Sequence, residues 1–513
     1  MISQKVRNSG SARCAISLFC AVGVLLGSYG FAADQANQQS PNAQAVFPLT
    51  TKSSEARRLV EEAWRLSLDL VESAKAGEVL RKAVKVDPDF AMGHELLAQI
   101  SLDPAEQVSE QQKAFALRTH ASQPEQTVIE WWQDSADHNL ISAITKMNSV
   151  LNQYPHDKWV VFLSTGWLTL QTQYERSVAV YERSGLADSP GLMNNTAYNY
   201  AYMRQFDKAF DLMDRYVAAL PKDPNPQDSY AEILRMAGKF DKAIERYRAA
   251  LDINPDFYSS EFGIADTYSL MGDQPRARKE YEAAFKKFSE LPELHRVQWQ
   301  TRAATTFIRE GDYVGADRAF QATADYAHSR HMSQVEADTY TKMAIYQSNP
   351  KRALALLEKA QSAIKEGENT TAAAIQQELA QVLRVRVEIA VKLGDNKTAR
   401  SLVAELAEMA ESSNDKLIET AYHGAAGAQL FAEQKYDQAI SHLEEDVSNP
   451  LSLRLLATSY QKIGYSAGAK RTSETLANLY DPTLEQALVV SAFRKCYLDA
   501  SCSSDVKGAS LKR

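Results

Sequence analysis

From about Ser53 onward, apolar positions recur at helical spacing in a succession of segments of similar length, with Pro falling mostly between them. This pattern predicts an all-helical chain. Residues 34–48 are rich in Gln, Asn and Ala and show no apolar period, so 34–52 reads as a flexible linker ahead of the first helix. In the middle of the chain the segments repeat. Phe206-Asp207-Lys208-Ala209 returns 34 residues later as Phe240-Asp241-Lys242-Ala243, and after another 34 as Gln274-Pro275-Arg276-Ala277. A small residue stands twelve positions before each of these alanines (Ala197, Ala231, Ala265). A larger one stands nine before (Tyr200, Leu234, Tyr268) and another four after (Met213, Tyr247, Tyr281).

The frame has a physical cause. Where two antiparallel helices of one unit touch, only a small side chain fits without overpacking, and the large residues fill the space to the next unit. Gly238 and Gly272 can take the left-handed conformation that ends a first helix, while Asp207 and Asp241 place negative charge near the start of the next. Pro221 and Pro255 close the second helices. A 34-residue period with this frame resembles the tetratricopeptide (TPR) family. The resemblance implies a right-handed α-solenoid of stacked antiparallel helix pairs.

The match is close over 190–291. Looser copies place the packing residue at Ala76, Ala143 and Ser177 on one side, within 53–189. On the other side, within 292–480, they place it at Ala316, Ala353, Ala399, Ala439 and Ala469. Ten or eleven repeats result, with 105–135 fitting poorly. Asp481-Pro482 opens a final helix, so 481–513 is expected to be a capping helix and tail.

Composition, 45% hydrophobic and 24% charged, suits a folded soluble chain. The N-terminus changes the picture. Lys5, Arg7 and Arg13 precede an apolar run from Ala15 to Leu26, then Gly30-Phe31-Ala32-Ala33, which reads as a signal peptide over 1–33. The alternative is an uncleaved anchor, but the run is shorter than the ~20 residues a spanning helix needs. No later stretch is apolar enough to span. The expected location is therefore periplasmic or secreted, and the resemblance narrows to exported bacterial TPR proteins. Removal of 1–33 takes three positive charges and no negative one from a net charge of −8, leaving −11, a poor match to nucleic acid. Cys496 and Cys502 remain as a disulfide candidate, provided the helix breaks between them; two free thiols are the alternative.

Motifs for phosphate, metal or nucleophile chemistry are missing from the sequence, so no enzyme and no cofactor is expected. Asp325, His328 and His331 share a helical face, which reads as an ordinary polar surface; a metal would need that face exposed and a further ligand, and none is expected. What remains is the inner groove. In the TPR family it is lined from the first helix of each repeat, which here implies Asn194, Asn195, Tyr198 and Tyr202, then Asp228, Ser229, Glu232 and Arg235. Ser259, Phe262 and Asp266 follow, with Arg302 and Arg309 further on. The carboxylate-clamp subtype is not implied, because Phe162 and Gly166 stand where its Lys and Asn belong. The expected function is a non-catalytic scaffold holding a protein or extended peptide. The alternative is an accessory factor binding polysaccharide during envelope export or assembly.

Overall fold

A computed structural model describes residues 46–68 and 72–498. Among the described residues there are twenty-five α-helices, two short 3₁₀ turns and no strand. Twenty-four of the α-helices form twelve consecutive antiparallel hairpins, from Ser54–Leu68 with Ser73–Val86 to Pro450–Lys462 with Ser466–Ala477. The last, Leu484–Leu498, follows a short non-helical segment and is opened by Thr483, whose hydroxyl accepts from the Gln486 amide, and not by Asp481-Pro482 as expected. The fold is thus an all-α solenoid. Its fifth hairpin pairs Pro190–Tyr202 with Phe206–Ala219, the sixth Pro224–Met236 with Phe240–Ile253, and the seventh Tyr258–Met271 with Gln274–Lys287. The eighth pairs Glu293–Glu310 with Tyr313–Ser329.

Local chemistry sets the helix starts. Asp103-Pro104, Asp223-Pro224, Asn349-Pro350 and Asn449-Pro450 open four of them, and in each the Asp or Asn side chain accepts from the amide two residues on. Pro at the first position leaves no amide unsatisfied there. The turn inside the hairpin is equally regular. One residue with positive φ joins the two helices in nine of the twelve hairpins: Gly238, Gly272, Gly311, Gly394 and Gly464, but also His138, Thr172, Arg204 and Gln434. Glycine adopts this conformation freely, whereas a β-branched residue such as Thr172 is strained by it.

Packing follows the expected frame. Ala197, Ala231 and Ala265 in the first helices and Ala209, Ala243 and Ala277 in the second are all fully buried. The core is accordingly a chain of neighbouring clusters with no single centre. The uneven spacing of the later alanines comes from longer helices, such as Ala372–Lys392 with Asn396–Ser413. Residues 105–135 are regular after all. They hold most of the second hairpin's second helix, a 3₁₀ turn at Arg118–His120 and the third hairpin's first helix, which brings the hairpins to twelve. Trp131 belongs to the core.

Two expectations need correction. The linker does not extend to residue 52. Phe47 is 3% exposed and packs on Tyr154 and Trp159, Leu49 is buried, and the amides of Phe47 and Thr50 donate to Asp157 Oδ2 and Glu125 Oε1. Its two apolar side chains hold this short stretch down. The end of the chain, too, does more than cover the last hairpin. Leu484 and Ala487 pack with Ala304 and Ile308 of the eighth hairpin, while Val489 and Val490 pack with Leu453 and Leu476 of the twelfth. Just ahead of that helix, Arg204 donates to the Asn478 carbonyl, and the Tyr480 ring meets Phe240 edge-on at 5.0 Å. Further contacts tie early to late hairpins. His138 Nε2 lies 2.9 Å from Asp415 Oδ2, which Gln377 also reaches, and Gly191 abuts the Leu68 carbonyl. The signal peptide expected over 1–33 and Cys502 of the expected Cys496–Cys502 bond lie outside the described residues.

Relieving the strained turn should stabilise the array. Thr172→Gly is expected to gain about 0.5–1 kcal/mol, read as a higher denaturant midpoint. Arg204→Gly relieves the same backbone but loses the Asn478 contact, so its midpoint should not rise. A fall in the Thr172→Gly midpoint would refute the turn assignment.

Candidate functional site

The first helices of the fifth to eighth hairpins present one face each to a common cavity of about 460 Å³. The 34-residue repeat places equivalent side chains in register across it. Tyr198, Glu232 and Asp266 occupy one position of three successive repeats. The Tyr198 hydroxyl donates to Glu232 Oε2 at 2.8 Å, and Arg235 Nη2 meets Glu232 Oε1 at 2.7 Å. Asp266, fully buried, accepts from the Tyr281 hydroxyl and pairs with Arg302 Nη1 of the next hairpin. Along one helix, Asp228, Glu232 and Arg235 fall at spacings of four and three, so they share a face.

Electrostatics divides these groups. Burial alone would push the Glu232 carboxyl up, but Arg235, Arg302 and the Tyr198 hydroxyl outweigh it and hold it below its usual range. Arg235 is 1% exposed, yet Tyr247, Glu232 and Asp266 keep it protonated against its own desolvation. Asp228 differs. Its Oδ1 accepts from Ser260 Oγ at 2.6 Å and no cation pairs with it, so burial pushes its carboxyl up to about 7. Burial also raises the phenols of Tyr198, Tyr202 and Tyr247, which stay neutral donors. His295, bonded to the Tyr258 hydroxyl at 3.0 Å, is pushed down by burial.

Apolar walls complete the cavity. Trp299 stacks on Phe262 at 4.3 Å and 11°, and Tyr202, 45% exposed, leans on Tyr174 at 5.0 Å. Gly263 is required, since a Cβ there would lie 2.4 Å from the Tyr247 ring. Several donors stay unpartnered: Arg235 Nε and Nη1, and Asn195 Nδ2. Buried donors without acceptors are costly in a folded chain and mark where an acceptor is wanted.

Of the groove residues expected from the sequence, Asn195, Tyr198, Tyr202, Asp228, Glu232, Arg235 and Arg302 all line this cavity, with Ser259 and Asp266. Asn194 does not. It is buried, one turn beyond Gly191, which abuts Leu68 of the first hairpin. Phe262 and Ser229 are buried, and Arg309 turns to Gln486 of the last helix. Sequence reasoning missed Tyr247 as a lining residue, and also Thr169, His295 and Trp299. Trp299 stands 37 residues after Phe262, so the longer eighth repeat hid it. Elsewhere, His328 pairs with Glu336 at 3.0 Å and Asp325 accepts from Gln321. Among the described residues no helix is long and apolar enough to cross a membrane.

No family model matches the chain and no curated protein matches it. Among solved structures it is similar to a tetratricopeptide repeat protein from Parabacteroides merdae, at 14% identity over 53% of this chain and 94% of that one, with a TM-score of 0.35. It is also similar to yeast Tom70, at 14% identity over 89% and 98% of the two chains, TM-score 0.39. A third is the Cut9–Hcn1 hetero-tetramer of the APC/C, at 14% over 81% and 76%, TM-score 0.38.

The raised Asp228 carboxyl predicts a pH dependence. Between its ordinary value of 3.8 and about 7 the folded chain holds a proton that the unfolded chain releases. Stability therefore falls as pH rises through that window and is flat above it. Asp228→Asn keeps an acceptor for Ser260 and removes the charge. It should be near neutral at pH 4 and stabilise by on the order of 1–3 kcal/mol at pH 8. Melting temperatures of both proteins at the two pH values check this; a difference that does not change with pH overturns it.

Proposed function

We propose that this chain is a non-catalytic, exported scaffold that takes an extended segment of a partner protein into the cavity of its fifth to eighth hairpins. The observation that carries the reading is the cavity itself. It combines aromatic walls, one charge pair within a helix and one between successive hairpins, and buried donors on Arg235 and Asn195 that lack acceptors. A peptide main chain brings carbonyl acceptors at regular intervals, and such donors suit them. Because Glu232 and Asp266 are already locked to Arg235 and Arg302, the lining loses little freedom when a ligand enters. Stacked helices thus supply a rigid surface of fixed pattern, and the activity is recognition.

Export rests on the N-terminal pattern of three basic residues, an apolar run and a small-residue exit in 1–33. The partner is accordingly a periplasmic or extracellular protein. Polysaccharide is the second ligand class the aromatic and carboxylate lining admits, through sugar-ring stacking on Tyr202 or Trp299.

A photo-crosslinking residue at Tyr202, with one at the exposed Ile141 as control, tests the reading in intact cells. A discrete protein adduct at Tyr202, absent from the control and lost in Arg302→Ala, is the expected result. A glycosidase-sensitive smear would replace the peptide reading with the polysaccharide one. An adduct of equal yield at both positions would overturn the cavity as the site.

A further inference from the structure

The cavity's charge balance specifies its ligand further, on the premise that a peptide segment enters it. Three carboxylates line it, Asp228, Glu232 and Asp266, against two guanidiniums, Arg235 and Arg302. Each guanidinium is committed: Arg235 to Glu232 at 2.7 Å, Arg302 to Asp266. His295 adds no charge, since burial holds it neutral. Asp228 is left over. It is 9% exposed, its only hydrogen bond is from Ser260, and it lines the open space. The groups around it come from every neighbouring helix: Tyr198 on the fifth hairpin, Glu232 and Arg235 on its own helix, Tyr247 on the next, and Asp266 and Arg302 beyond. None of them forms an ion pair with it: the charge of Arg235 acts on it from a distance, and that of Glu232 opposes this.

We infer that the cavity's anchor is a cationic side chain, a lysine or arginine of the bound segment, which pairs with Asp228 inside walls that include Tyr198, Tyr202 and Trp299. Three independent features favour a cation. A buried carboxylate without a counter-charge is unfavourable until one arrives. Aromatic faces attract ammonium and guanidinium groups by their quadrupole. An anionic group would instead meet an excess of carboxylates. The unpartnered donors of Arg235, itself 1% exposed, and of Asn195 are complementary to this, because they suit the carbonyls that flank such a side chain in a peptide.

Proton linkage follows. Empty, Asp228 is about half protonated near pH 7, and a cation binds its ionised form. Affinity rises with pH, by up to about tenfold per unit below pH 7, and levels off above pH 8.

Selection of random twelve-residue peptides against the immobilised full chain at pH 8 tests the inference. The expected result is a shared Lys or Arg in the enriched peptides. Replacing that lysine by norleucine should weaken binding at least tenfold, and affinity of the parent peptide should rise several-fold from pH 6 to pH 8. Asp228→Asn, with an unchanged circular dichroism spectrum, should abolish both effects. The norleucine swap and the pH series need no variant protein, so the test stands whether or not Asp228→Asn folds. Peptides that compete with crosslinking at Tyr202 but show no cationic preference and no pH dependence would overturn the anchor and leave the peptide-binding reading intact. Failure to enrich any peptide that competes at Tyr202 would overturn both.

Discussion

At Ala209, Ala243 and Ala277 the second helix of a hairpin comes against the first with only a methyl group between them, and the rest of the structure depends on that closeness. A larger side chain would spread the pair and shift each hairpin on the next. With the spacing fixed, successive first helices stack in register, and side chains 34 residues apart become neighbours. This is how Tyr198 reaches Glu232 without any element designed for the purpose. It is also how Asp266 comes within reach of Arg302 from the following hairpin.

The cavity spends part of this regularity on polarity. Asp228, Glu232, Arg235, Asp266 and Arg302 converge on one volume. Buried charge pairs contribute little net stability against a well-packed apolar alternative. Asp228 makes the case more sharply, since it destabilises the empty fold at neutral pH.

Much of this was legible in the sequence, and the limits are instructive. The 34-residue frame identified the central hairpins, and nine of the thirteen inner residues carried over from it line one cavity. The frame is a local pattern, however, and it failed wherever contacts are long-range. Asn194 is buried away from the cavity, on a helix that meets the first hairpin more than a hundred residues earlier, at Gly191 and Leu68. Phe47 and Leu49 lay in a stretch with no period, so their burial against Trp159 and its neighbours left no trace in spacing. The meeting of Arg204 with Asn478, 274 residues apart, has no signature in periodicity at all. Trp299 and His295 were hidden for a milder reason: the eighth repeat is longer, and positions counted from a 34-residue frame drift by a few residues.

That meeting of residue 204 with residue 478 has a consequence for how such a chain can change. An open stack of repeats tolerates the gain or loss of a unit, because each unit contacts only its neighbours. Here the segment that follows the twelfth hairpin returns to Arg204, Gly238 and Phe240, and the final helix rests on the eighth hairpin. Duplicating or deleting any hairpin between them would carry Tyr480 past the place where it seats. The number of units between residue 204 and residue 478 is therefore fixed by geometry, and this array is free to vary by substitution and by the length of its helices, but not by count.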